Sequence, residues 1–246
     1  MYSIIQNSSE LAKYPKTFAS LIIGVLLAVA VFNCIIIPVH NRVKYFFIHA
    51  FGDYSASEDG YCTMRPKENI HVIGLFTSLF LNIGFAEPAY FDSEHFRRPK
   101  LCAIVISLSG VLTYFVFFGA TFAVFSFLRA NNVCSVTSVQ LASDSLVFGQ
   151  YIYHAVYVML YYIAITCIYS AFFNIIPAFP LDMGDALYVF MPVNWQDNLR
   201  NNELAISLGL FVLAFMYLGS ANGIIVKIAK PLINNLYEIF SSFMLL

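Results

Sequence analysis

Apolar residues fall in long blocks along this chain, separated by short polar stretches. Five blocks stand out: Thr17–Val39 (TFASLIIGVLLAVAVFNCIIIPV), His71–Phe85 (HVIGLFTSLFLNIGF), Leu101–Leu128, Tyr151–Ile176 and Leu204–Val226. About 20 apolar residues, rising about 1.5 Å each, cross the hydrocarbon core of a bilayer as a helix. The first, third, fourth and fifth blocks meet that length. The second is shorter and fits a tilted span or a re-entrant piece. The pattern predicts an all-α polytopic membrane protein with about five to six transmembrane helices, the sixth arising if the region near Val43–Phe51 inserts separately. It predicts one membrane domain over residues 1–246, with no soluble domain, no repeat of fixed period and no low-complexity tract.

Composition agrees with this reading. The 246 residues are 60% hydrophobic and 11% charged, where a soluble domain has about a quarter of its residues charged. So much apolar surface exceeds what one core can bury, and the lipid bilayer is the partner that covers the rest. A formal net charge of −1 and the lack of a basic, aromatic-laced patch give no reason to expect nucleic acid. Cys34, Cys62, Cys102, Cys134 and Cys167 stand alone without a CxxC pair, and three of them lie in apolar runs. They read as small hydrophobes rather than as a metal or disulfide framework. The first apolar block is too long for a cleaved signal region and reads as a retained span. Basic residues divide almost evenly between the two sides of the bilayer, so orientation stays open.

Two polar clusters interrupt the pattern. In VHNRVKYFFIHAFGD, Val39 to Asp53, the residues His40, Asn41, Arg42 and Lys44 follow directly on a membrane-length run, two residues after Pro38. On a helix His40 and Lys44 share a face. Either these groups snorkel to the headgroups, or they form a polar site at membrane depth. In FFNIIPAFPLDMGDAL, Phe172 to Leu187, an apolar helix ends at Asn174. Pro177 and Pro180 break it, and Asp182 and Asp185 frame Gly184. A carboxylate after a broken membrane helix is a candidate functional group; the alternative is an exit loop with both aspartates in water.

The second cluster resembles the NxxPxxPLDGG element of the site-2 proteases, intramembrane zinc metalloproteases. GFAEPAYFDSEHFRRPKLCAIVISLSGVL, Gly84 to Leu112, is similar to a second signature of the small branch without extra domains, in register at Phe85, Ala86, Pro88, Phe96, Arg97, Pro99 and Gly110. GYCTMRPKENIHVIGLF is similar to a third, at Gly60, Thr63, Pro66, Ile70, Ile73 and Gly74. The three occur in the family's order. The family's HExxH lies twelve residues before a Gly-Asp pair, and counting back from Gly52 places HNRVK there, with His40, Asn41 and Lys44 at the histidine, glutamate and second histidine positions.

The resemblance implies a site-2-protease-like core over about 17–190 and a C-terminal membrane helix over about 204–226. It also implies that two of three zinc ligand positions are kept, His40 and Asp182. Lys44 in its charged form has no lone pair for a metal, and the Asn41 amide cannot relay a proton. Val111, Tyr114 and Met183 depart from the family's LAGPLAN and PLDGG patterns. The expectation is a catalytically inactive protein with no catalytic residues and no cofactor. A Lys44–Asp182 ion pair, with His40, Asn41 and Asn174 as polar neighbours, would stand in place of the metal. His49, His71, His95 and His154 read as packing or interfacial residues rather than ligands. The role expected is binding or structural, with other membrane-protein subunits or a transmembrane helix as partners. The expected location is a bacterial cytoplasmic or organellar inner membrane. Two alternatives stand beside it: an active intramembrane zinc metalloprotease with altered ligands, holding zinc through His40 and Asp182, and a small transporter or channel with a polar path through His40, Lys44 and Asp182.

Overall fold

A computed structural model describes residues 15–55, 63–89, 91–131 and 148–213, with Pro231 and Asn234. The described chain is all helical apart from loops and a single antiparallel bridge between Ile70 and Ala86. It comprises α1 (Pro15–Val31), a π-helical turn (Phe32–Ile36), α2 (Ile37–Ala50), α3 (Pro66–Asn69), α4 (Val72–Leu81), a 3-10 turn (Ser93–His95), α5 (Pro99–Ala130), α6 (Phe148–Asn174), α7 (Asp182–Phe190), α8 (Val193–Asn201) and α9 (Glu203–Leu213). Three helices among the described residues are long and apolar enough to cross a membrane: Pro15–Ala50, Pro99–Leu128 and Gly149–Asn174.

Two sequence expectations need adjusting. His71–Phe85 is not a span: its helix α4 holds only 10 residues, because Asn82 takes a left-handed conformation (φ 56°) that ends it. The region near Val43–Phe51 does not insert separately but continues the first long helix. Pro38 stands second in α2, and Pro15–Ala50 runs as one stretch of 36 helical residues. A proline offers no N–H to the carbonyl four residues back and crowds it. The π turn just before it widens the helix, with the Ile37 N–H reaching back to the Phe32 carbonyl, and the rod runs on. The predicted span Leu204–Val226 is described only as far as Leu213, and Cys62 and Cys134 lie outside the described residues.

The long helices pack side by side, α6 against both α1 and α5, and α5 also against α2 and α7. On α1 the buried positions Thr17, Ser20, Gly24, Val25 and Ala28 recur at helical spacing. Close approach to α6 depends on Gly24: a Cβ there would lie 2.6 Å from the Ala155 carbonyl oxygen, the small-residue contact by which membrane helices approach. Ser20 Oγ lies 2.8 Å from His154 Nδ1 across the same seam. Phe32, Ile36, Tyr114, Phe118, Cys167 and Ile168 fill the space between the helices. Ile23, Leu27, Ile35, Leu112 and Val116 point outward, as they should on helices that face lipid.

Candidate functional site

The centre of the fold is polar. α2 buries His40, Asn41 and Lys44 almost completely, at 0%, 2% and 1% exposure. The i, i+4 spacing stacks His40 and Lys44 on one face, and that face meets the first turn of α7. Lys44 Nζ donates to Asp182 Oδ1 at 2.9 Å and to Asp185 Oδ2 at 2.7 Å. His40 Nε2 donates to the other oxygen of Asp182, also at 2.9 Å. Four ionisable side chains thus form one buried chain: His40, Asp182, Lys44, Asp185.

The loop before α7 is shaped to deliver these aspartates. Asn174, the last residue of α6, donates to the Ser170 and Gly84 carbonyls at 2.8 and 3.1 Å, and its own carbonyl oxygen faces the Asp182 N–H at 3.5 Å. Pro177 and Pro180 keep helix from continuing, and the Phe179–Pro180 peptide is cis. α5 closes the site from the side. At Gly110 a Cβ would lie 2.7 Å from His40 Nε2 and 2.9 Å from Asp182 Oδ2, so only glycine leaves room for the pair. One turn on, the Tyr114 ring stacks on the His40 ring with centroids 4.5 Å apart. Its hydroxyl is buried with no hydrogen-bond partner among the described residues.

Asn41 orders the other side of the histidine. The Asn41 amide N–H donates to the Glu87 carbonyl at 3.1 Å, which turns its oxygen toward His40 Nδ1, also at 3.1 Å. His40 therefore has an oxygen facing each ring nitrogen, Asp182 at Nε2 and Asn41 at Nδ1. Lys44 lies between two carboxylates, Asp182 and Asp185, and bonds to both. A buried charge is tolerable only when paired and hydrogen-bonded in this way.

Zinc takes its ligands from imidazole, thiolate and carboxylate donors. This group offers three such side chains, His40, Asp182 and Asp185, but only one imidazole among them, and both carboxylates are bonded to Lys44. Lys44 adds a charge of the metal's own sign and, as an ammonium, no lone pair. The residues present do not fit the two-histidine, one-aspartate zinc centre. At the position that the resemblance assigns to a glutamate, Asn41 spends its amide on His40 and on the Glu87 carbonyl, and an amide does not accept a proton and give it back.

All five residues singled out in the sequence, His40, Asn41, Lys44, Asn174 and Asp182, meet around this point. Asp185 belongs with them, and its place three residues after Asp182 on a helix was the signal for it. His49 stacks on Tyr54 (5.3 Å) and His154 joins α6 to α1, both packing roles. His95 is exposed in the charged loop, 3.5 Å from Asp53. Asp53 itself is buried and anchors that loop, accepting from the Ser55 N–H and hydroxyl and from the Asp92 N–H. Burial alone would raise its carboxyl, but these hydrogen bonds and nearby His95 hold it below the ordinary range. The His71 ring packs against Phe85, centroids 4.9 Å apart, and also lies close to Glu87 and Glu203.

The chain is similar to a Bacillus subtilis (strain 168) protein carried under the name "Putative zinc metalloprotease YwhC", at 25% identity over 71 residues, 29% of this chain. The match spans 32% of that relative's length, about a third of it. No protein-family model and no solved structure matches the chain.

Proposed function

We propose that this is a site-2-protease-like membrane protein that does not hydrolyse peptides and works by binding, holding another membrane segment or serving as a fixed subunit of a membrane complex. The observation that carries the reading is Lys44 Nζ lying within hydrogen-bond distance of both Asp182 and Asp185. The ammonium stands where the family's second histidine would meet the metal. The order of the family-like motifs and the likeness to a relative named as a zinc metalloprotease support the ancestry. Asn41 at the glutamate position supports the loss of chemistry, because peptide hydrolysis needs a group there to accept the water proton.

The same relative's name favours a second reading, an active zinc metalloprotease with altered ligands. Purification of the full chain in mild detergent from its native membrane separates the two. Copurification with other membrane proteins at fixed stoichiometry, together with no zinc that depends on Asp182, supports the binding role. One equivalent of zinc that disappears with Asp182→Ala, accompanied by cleavage of a membrane peptide, supports the enzyme and ends the proposal.

A further inference from the structure

A second polar cluster lies beside the first. His71 precedes α4 and is 5% exposed. Glu87 lies in the extended segment that pairs with residues 69–70, through its own N–H to the Asn69 carbonyl (2.9 Å) and the Ile70–Ala86 bridge. Glu203 opens α9, and Ser207 follows one turn later on the same face, its hydroxyl 3.3 Å from His71 Nε2. Glu203 Oε1 is 3.7 Å from that same nitrogen. One ligand atom from each of His71, Glu87 and Glu203 lies within 4.8 Å of the others. The first site adjoins this one through the Glu87 carbonyl, which takes the Asn41 amide.

We propose that His71, Glu87 and Glu203 bind one divalent transition-metal ion of the zinc class. An imidazole and two carboxylates are the donor set that such borderline ions take, with water completing the coordination. Donors around a zinc ion sit about 2.1 Å from it and so about 3–3.5 Å apart. Three donors already within 4.8 Å reach that spacing by small side-chain rotations. Electrostatics points the same way. Burial, and after it the charge of Glu203, raises the Glu87 carboxyl to about 7. Burial lowers His71 to about 4, which leaves its ring neutral, as a ligand must be. An ion on Nε2 moves the ring proton to Nδ1 and gives up the contact from the Gly74 N–H, which at 3.4 Å is already long. Bound, the ion would tie α9 to the start of α4 and to the extended segment.

This inference does not rest on the proposed function, and one experiment keeps the two apart. Full-length protein in detergent, stripped with chelator, is titrated with Zn2+ by calorimetry, and its melting midpoint is followed with and without the ion. The expected result is one Zn2+ per chain and a raised midpoint. Affinity should fall about tenfold or more in Glu87→Gln and in Glu203→Gln, both near-isosteric, while Asp182→Asn keeps it. No zinc uptake by the parent chain, or uptake unchanged in the Glu87→Gln/Glu203→Gln double variant, overturns the proposal. So does uptake that only Asp182→Asn abolishes.

Discussion

Lys44 and Asp182, 138 residues apart in sequence, meet at 2.9 Å in the interior of the protein, with Asp185 on the far side of the ammonium. The contact joins the first long helix to the helix that follows the proline-broken loop. Through Gly110 and Tyr114 it is also packed against α5. Three elements therefore depend on one charge arrangement.

Removing the ammonium alone should be costly. Lys44→Met leaves two buried carboxylates facing each other, and breaking a buried ion pair on one side costs about 3–5 kcal/mol. The triple variant Lys44→Met/Asp182→Asn/Asp185→Asn should recover most of the loss, because no carboxylate is then left without its cation. Denaturant or thermal unfolding in detergent compares the two. A triple variant as unstable as the single one would show that the cost is steric rather than electrostatic.

Gly110→Ala should be destabilising despite the high helix propensity of alanine. Its methyl group would sit 2.7 Å from His40 Nε2 and 2.9 Å from Asp182 Oδ2, and overpacking of this kind costs about 1–3 kcal/mol. Gly119, on the same helix, has open space around it. Gly119→Ala should be neutral or slightly stabilising, which makes the pair of variants a controlled comparison by melting midpoint.

Tyr114→Phe should not destabilise the protein. The ring supplies the stacking on His40, while the hydroxyl is buried without a partner among the described residues. An unmatched buried hydroxyl costs about 1–3 kcal/mol, so its removal should leave stability unchanged or raise it by about 1 kcal/mol. A clear loss in the unfolding midpoint would mean the hydroxyl has a partner.

Much of this was legible in the sequence, through two different signals. Block hydrophobicity marked the long helices, because a membrane helix must be apolar over its whole length whatever it packs against. It left His71–Phe85 open between a tilted span and a re-entrant piece; apolar content continues there, but the left-handed Asn82 and the close pairing of Ile70 with Ala86 limit the helix to ten residues, too few for a span. The i, i+4 spacing and the motif order marked His40, Lys44 and Asp182. Tyr114, Glu87 and Glu203 carried no such signal. Each meets its partner across a long separation, as His71 and Glu203 do, and spacing along a chain says nothing about which side chains tertiary packing will bring together.

Acid should loosen the charged loop first. The Asp53 carboxyl is held below its ordinary value, so the native state binds this proton less readily than the unfolded chain does. Its contribution is therefore full above about pH 4 and is lost as pH falls through the depressed native value. Asp53→Asn should flatten that acid limb of the stability curve and cost about 1 kcal/mol at neutral pH. Unfolding midpoints recorded from pH 3 to pH 7 read both effects; an unchanged acid limb would place the titrating group elsewhere.

The most direct test restores the missing groups. In a Glu87→Gln/Glu203→Gln background, which silences the second cluster, Asn41→Glu/Lys44→His returns two imidazoles and an aspartate to the centre, and zinc content is then measured by mass spectrometry. The account predicts about one equivalent of zinc in this restored chain and none bound through His40 and Asp182 in its parent. A parent chain that already holds one equivalent, released by Asp182→Ala, would contradict it.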